Sequence, residues 1–152
     1  MLNRKRTWIV VADAGRARVF RPGRPDEGFV PVEGGSFDNP NVHDATRDLG
    51  TDRPGRSVES VGAARHAQEP RVDLHRQAKS NFAKLIAEYV DRGAQDKKFD
   101  DLVLVAPPQM LGDLRAALGK QSADRIVSTI DKDLTKLPLP EMAESIRAVV
   151  RI

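Results

Sequence analysis

An unbroken apolar run extends from Leu102 to Ala106, bounded by Asp100-Asp101 on one side and Pro107-Pro108 on the other. Five consecutive apolar residues, two of them valines, are typical of a strand that is buried on both faces of a sheet. Pro107 cannot donate to a β-ladder, and Pro108 suits a first helical turn. We therefore predict a helix directly after this strand, burying Met110, Leu111, Leu114 and Leu118. A strand followed directly by a helix is typical of an α/β layer fold.

Shorter β-rich runs precede this central strand. The runs from Thr7 to Ala12 and from Arg16 to Arg21 are separated by Asp13-Ala14-Gly15. This pattern predicts a hairpin with a glycine available for a positive φ. Gly28 to Glu33 supplies a third strand, in which Pro31 indicates an edge position. Together the three runs predict an antiparallel meander.

Apolar positions at spacings of three and four predict the remaining helices. The longest begins at Pro70, has Gly93 as its C′ residue, and carries an inner face of Leu74, Ala78, Phe82, Leu85, Ile86 and Tyr89. Ile126 to Ile130 follows as another strand beside the central one, and a final helix starts at Pro138 or Pro140. The predicted order is β-β-β-α-β-α-β-α. It describes a single three-layer α/β domain over residues 1–152, with a mixed sheet of about five strands.

Residues 34–69 interrupt this order. They show no sustained helical or strand period and are rich in Gly, Pro, Asn, Asp and Arg. Loops in compact domains seldom exceed about 12–15 residues unless they are functional or mobile. We predict one long loop over about 34–69 that is both functional and mobile.

Composition narrows the class of protein. Charged residues make up 31% and hydrophobic residues 39% of the 152 residues, and the net charge is +3. No apolar run approaches the ~18 residues of a membrane span, and the patch from Trp8 to Ala12 is too short for the core of a signal peptide. We therefore expect a soluble, cytoplasmic protein without a membrane segment. The chain has no cysteine, and its oligomeric state stays open.

The carboxyl end of the central strand is the first place to look for chemistry. Ligands of open α/β sheets bind where parallel strands end, which here is a pocket bordered by Asp13, Pro107 and Pro108. The predicted element order is that of ribonuclease-H-like domains, whose two-metal chemistry needs several converging carboxylates. The central strand instead ends in Ala106-Pro107, and Asp100 and Asp101 lie at its other end. A hydrolase acting on phosphoesters or peptidyl-tRNA is kept as an alternative hypothesis.

No catalytic residue, metal ligand or cofactor is assigned. His43, His66 and His75 lack the spacing of metal ligands, and without cysteine a closed zinc site is disfavoured. We therefore expect a protein that is not an enzyme and that needs no cofactor.

Arginines are concentrated in Arg53-Pro54-Gly55-Arg56 and its flanks. Arginine forks suit phosphate oxygens, and Gly55 permits close approach of the backbone. The alternative is a solvated loop that contacts nothing. We predict a nucleic-acid-binding set that continues onto the following helix and comprises Arg47, Arg53, Gly55, Arg56, Arg65, Arg71, Arg76 and Lys79.

Several motifs in order resemble the bacterial host attachment protein family. They are Trp8 to Phe20, Asp52 to Arg56, Phe82-Ala83, Leu102 to Pro108 with Leu111 to Arg115, and Lys132 to Thr135. The resemblance covers nearly the whole chain. It implies a factor directly involved in attachment to host cells as a further alternative.

The predicted fold order is also similar, more distantly, to the middle domain of archaeal and eukaryotic class 1 translation release factors. That domain presents a Gly-Gly-Gln loop to the ribosome. Gly55 matches one glycine of the loop, and Arg56 stands where the glutamine is expected. The resemblance therefore implies RNA or the ribosome as a partner without peptidyl-tRNA hydrolysis. Our leading interpretation is a non-enzymatic, release-factor-like module that binds through the arginine-bearing loop.

Overall fold

The computed structural model of the chain describes residues 5–24, 26–40 and 61–152, with the side chains of the last segment described from residue 74 onward. The strands are β1 (Thr7–Ala12), β2 (Arg16–Pro22), β3 (Phe29–Asp38), β4 (Asp101–Val105) and β5 (Ile126–Ile130). The helices are α1 (Val61–Gln95), α2 (Pro108–Ala117), α3 (Lys120–Ala123) and α4 (Leu139–Arg147).

The five strands form one mixed sheet in the order β3-β2-β1-β4-β5. β1 pairs antiparallel with β2, with Ile9 opposite Phe20, and parallel with β4, with Thr7 opposite Asp101. β4 and β5 are also parallel. The prediction of an α/β fold with a mixed sheet of five strands is confirmed. We call the two ends of the parallel strands the amino end and the carboxyl end of the sheet.

Helices cover both faces of the sheet. Because alternate residues of a strand point to opposite faces, Trp8 and Val10 of β1 pack with α1 and α2, whereas Ile9 and Val11 pack with α4. All six residues of β1 are buried. The unbroken apolar runs of β1 and β4 are explained by these two layers, since neither strand has a face in water.

The prediction of one long loop was wrong at both ends of the loop. β3 continues through residues 34–38, and α1 begins at Val61 rather than at Pro70. The remaining residues 41–60 lie outside the described part of the chain. Treating Pro70 as a helix start was the source of one error, because a helix can contain a proline within its length when flanking residues sustain it.

Two glycines caused the other error. Gly34 has φ +76°, and a Cβ on Gly35 would lie 2.8 Å from Cβ of Val19. β2 and β3 shift register between Arg18 and Phe20. The glycines therefore do not mark a loop. They allow an irregular strand pair to pack closely, as glycines in strands often do.

The end of α1 also differs from the prediction. The amide of Lys97 donates to the Ala94 carbonyl over 3.1 Å, and the amide of Lys98 donates to the Gly93 carbonyl over 2.8 Å. These two bonds form a Schellman motif whose C′ residue is Lys97, with φ +55°. Gly93 instead lies inside the helix, where a Cβ would approach the Trp8 ring to 2.5 Å.

Candidate functional site

Asp13 lies directly after β1, at the carboxyl end of the sheet. Its Oδ1 accepts hydrogen bonds from the amides of Gly15 at 2.8 Å and Arg16 at 2.9 Å. The Asp13 amide in turn donates to the Arg16 carbonyl over 2.9 Å. Aspartate commonly stabilises turns in this way. One oxygen of the carboxylate is therefore used to build the β1–β2 turn.

Thr135 occupies the other oxygen. The Thr135 hydroxyl lies 2.8 Å from Asp13 Oδ2 and 2.5 Å from Asp133 Oδ1. A hydroxyl carries one proton, so the two carboxylates share a single donor. The Thr135 amide also donates to Asp133 Oδ1 over 3.0 Å. These contacts fasten the connection between β5 and α4 across the end of β1.

The sequence prediction of a pocket at Asp13 did not include Thr135 or Asp133. From the sequence, the Lys132 to Thr135 motif indicates only the family resemblance. The one local signal was an aspartate two residues before a threonine, a spacing typical of a side chain that bonds the backbone. Nothing local indicates that this turn meets a residue 122 positions earlier.

Pro107 and Pro108 end the neighbouring strand at the same end of the sheet. Pro107 is the N-cap of α2, where it makes no side-chain cap bond, and its carbonyl accepts from the Leu111 amide over 2.9 Å. Pro108 is exposed. These prolines turn the chain from strand into helix and present only ring surface to a ligand.

The predicted nucleic-acid-binding residues fall into three groups. Arg47, Arg53, Gly55 and Arg56 lie outside the described residues. Arg65 and Arg71 belong to the first half of α1, for which the backbone alone is described. Arg76 and Lys79 follow on the same helix, and Lys79 is half-buried.

Arg76 is engaged within the protein. Its guanidinium donates to both carboxylate oxygens of Asp113 on α2, over 2.7 and 2.9 Å. This forked hydrogen bond and the charge of Asp113 raise the pKa of Arg76 above its ordinary value. The charge of Arg76 is therefore balanced by α2, and the pair joins the two helices.

Asn39 fixes where α1 crosses the sheet. This buried amide donates to the carbonyls of Ala14 at 3.1 Å and Ala78 at 3.3 Å. One side chain therefore ties the end of β3 to the hairpin turn and to the middle of α1. Sequence reasoning placed Asn39 in a loop and assigned it no role.

Among the side chains that the structure describes, in residues 5–24, 26–40 and 74–152, no three of His, Cys, Asp or Glu come together as a metal site would require. None of the helices described has the length and apolar character of a membrane span.

These observations define the class of protein. It is an α/β protein with a mixed sheet, and the Asp13 carboxylate at the carboxyl end of that sheet is bonded to the protein's own loops. The chain belongs to the host attachment protein family, because the family model described as "Protein required for attachment to host cells" matches residues 8–146. The family predicted from the sequence motifs is thus confirmed. Curated proteins give no match to the chain.

Proposed function

We propose that this member of the host attachment family is a non-enzymatic module that binds RNA or the ribosome through the arginine-bearing segment before α1. The observation that best supports the proposal is the hydrogen bond from the Asn39 side chain to the Ala78 carbonyl, which holds the end of β3 beside the middle of α1. Val61 lies 17 residues before Ala78 along α1, which corresponds to about 25 Å at 1.5 Å per residue. The two attachment points of residues 41–60 are therefore well separated.

Such a separation suits an extended ligand. A segment carrying Arg47, Arg53 and Arg56 between two distant points can follow several phosphates of a single strand, and arginine forks pair with phosphate oxygens. The similarity to release factors rests on the sequence and leads to the same class of partner. In this proposal the protein acts in the cytoplasm.

The hydrogen bonds of Asp13 argue against a catalytic role at the carboxyl end of the sheet. A general base or a metal ligand needs carboxylate oxygens directed at a substrate or an ion. Both oxygens of Asp13 are instead engaged by Gly15, Arg16 and Thr135.

Co-sedimentation with ribosomes over a series of salt concentrations tests the proposal. We expect binding that weakens steeply as salt rises, because displaced counterions accompany each phosphate contact. The Arg56→Ala variant should bind markedly less, and the triple Arg53, Arg56 and Arg65→Ala variant less again. Lys84→Ala, which removes one exposed charge from the described part of α1, is the matched control. Undetectable ribosome and RNA binding at low salt, or equal binding by all variants, would contradict the proposal.

The family description favours a second candidate, a direct role in attachment to host cells. Cell fractionation separates the two proposals. A direct adhesive role requires the protein on the cell surface, whereas the binding module is expected in the cytosolic fraction.

A further inference from the structure

The amino end of the sheet carries a groove of about 780 Å³. Trp8 lies at its floor and is only 4% exposed. Six basic side chains line it: Lys5, Arg6, Arg21, Lys98, Arg147 and Arg151. Asp101 is the single acidic side chain among the lining residues. Six cations against one acidic side chain give the groove a clear excess of positive charge.

The fold brings these cations together from four parts of the chain. Arg6 precedes β1, Arg21 ends β2, Lys98 precedes β4, and Arg147 ends α4. The Arg6 carbonyl accepts from the amides of Asp100 at 2.7 Å and Asp101 at 3.0 Å. Backbone pairing at the amino end thus holds the groove in shape.

Arg147 is the most confined of the six. Its guanidinium lies 5.2 Å from the centre of the Phe29 ring. Its Nε is buried and has no hydrogen-bond partner among the residues that the structure describes. A buried N–H without a partner is costly, and each such group calls for an explanation. Arg147 therefore holds its positive charge at the wall of the groove, beside Phe29.

The other cations are weakly compensated. Arg6 lies 3.5 Å from Asp100 in an exposed ion pair. The Arg6 amide donates to that carboxylate and holds the pKa of Asp100 below its ordinary value. Within the described part of the chain, Arg21, Lys98 and Arg151 form no ion pair with an acidic side chain. The positive charges of the groove therefore outnumber the carboxylates beside them, which are those of Asp100 and Asp101.

We propose that this groove is a binding site for a compact anion bearing two or more phosphate groups. The volume lies in the range of about 300–1,000 Å³ that is typical of small-molecule sites. Arginine forks match phosphate oxygens, and lysines complement them as point charges. The walls come from β1, β2, the start of β4 and the end of α4, which encloses a compact ligand better than an extended strand. This site is independent of the arginine-bearing segment at the other end of α1.

Inorganic tripolyphosphate is the probe. Trp8 is the only tryptophan and lines the groove, so its fluorescence reports occupancy, and calorimetry gives the stoichiometry. We expect saturable binding of one tripolyphosphate per chain at low salt. Arg147→Gln should weaken it about tenfold or more, the effect of one charge-assisted hydrogen bond.

Two further variants test the proposal in case Arg147→Gln disturbs the packing of residue 147 on Phe29. Arg21→Gln and Arg151→Gln alter exposed side chains and should each weaken binding severalfold. Lys84→Gln, an equal loss of charge on α1 outside the groove, should leave the affinity unchanged. A nucleoside triphosphate that binds more tightly than tripolyphosphate would identify a nucleotide as the source of the phosphates, and equal affinity would identify the phosphate chain alone.

Absence of tripolyphosphate binding at low salt would overturn the proposal. An equal loss in Lys84→Gln would also overturn it, because the attraction would then be non-specific. Single-stranded RNA that binds in an Arg147-dependent manner without competition from tripolyphosphate would replace the compact anion with a nucleic acid. The Arg56→Ala variant should bind tripolyphosphate normally, so failure of the ribosome proposal leaves this one standing.

Discussion

The two ends of the sheet differ in how they use their charged groups. The carboxyl end has the residue types expected of an active site, yet Asp13 is bonded to Gly15, Arg16 and Thr135. The amino end has no such constellation, yet it gathers six cations around one groove and leaves Arg147 Nε without a partner among the described residues. Ligands of α/β folds most often bind at the carboxyl end of the sheet, and there the Asp13 carboxylate is bonded to the protein's own loops.

This difference shows that residue type alone does not indicate a binding site. The hydrogen bonds and ion pairs that the residue already makes within the protein matter more. The Asp13 carboxylate is already bonded within the protein on both of its oxygens. The cations of the amino-end groove outnumber the carboxylates beside them and can pair with an added anion. Three changes test whether the two ends really differ in this way.

Replacement of Gly93 by alanine should give the largest effect, because Gly93 lies against Trp8, which lines the amino-end groove. The new Cβ would lie 2.5 and 2.6 Å from two atoms of the Trp8 ring, and that ring stacks on Phe99 and Tyr89. We expect the free energy of unfolding to fall by about 3 kcal/mol, the upper part of the usual range for an overpacked core, measured by urea denaturation. Gly112→Ala on α2 has open space around it and should instead stabilise by up to about 1 kcal/mol. A Gly93→Ala protein as stable as the parent would mean that Trp8 does not rest on α1 as described.

Replacement of Asp13 by alanine tests the carboxyl end. The change removes the hydrogen bonds that Asp13 accepts from the amides of Gly15 and Arg16 and from the Thr135 hydroxyl. We expect a loss of about 1–3 kcal/mol in the free energy of unfolding, followed by thermal or urea denaturation. Asp133→Ala, which spares the hairpin turn, should cost less. If Asp13→Ala were neutral, the carboxylate would not hold the turn, and the contrast between the two ends would fail.

Tyr89 gives the smallest effect and tests the packing behind the groove floor. Burial raises the pKa of its phenol, and the charge of Glu33 adds to this. The unfolded chain therefore loses the phenolic proton first as the pH rises. Stability from Tyr89 is present below about pH 10 and is lost as the pH rises through the folded-state pKa. Because Tyr89 is the only tyrosine, absorbance of tyrosinate follows it directly, and Tyr89→Phe should remove its part of the alkaline destabilisation. A phenol that titrates at its ordinary value would contradict the packing on Trp8.

The strands were largely predictable because apolar runs and β-branched residues report local preference. The ends of elements were not. Gly93 fits the usual pattern of a helix-ending glycine, but Trp8, 85 positions earlier in the chain, decides its role. Lys97 then takes the left-handed position that glycine would normally fill. Both outcomes depend on tertiary packing that a local rule does not contain.

The candidate sites show the same difference between local patterns, which the sequence reveals, and long-range contacts, which it does not. Asp13 could be placed at a strand end from the sequence, whereas its bond to Thr135 joins residues 122 positions apart. The basic groove is harder still to predict, because its cations are scattered over four segments of mixed charge. Only the register of β1 with β2 and β4 brings those segments to one end of the sheet.

The placement of β1 also has a consequence for the order of events during synthesis. β1 meets β2 across a three-residue turn, but it meets β4 only after 94 further residues, since Thr7 pairs with Asp101. At about 5–20 residues per second, translation takes about 5–20 s to supply that partner. Until then the middle strand of the finished sheet is an open edge of a three-stranded meander, able to pair with other chains. We expect β1 to gain its second neighbour only late in synthesis, shortly before β5 and α4 complete the fold.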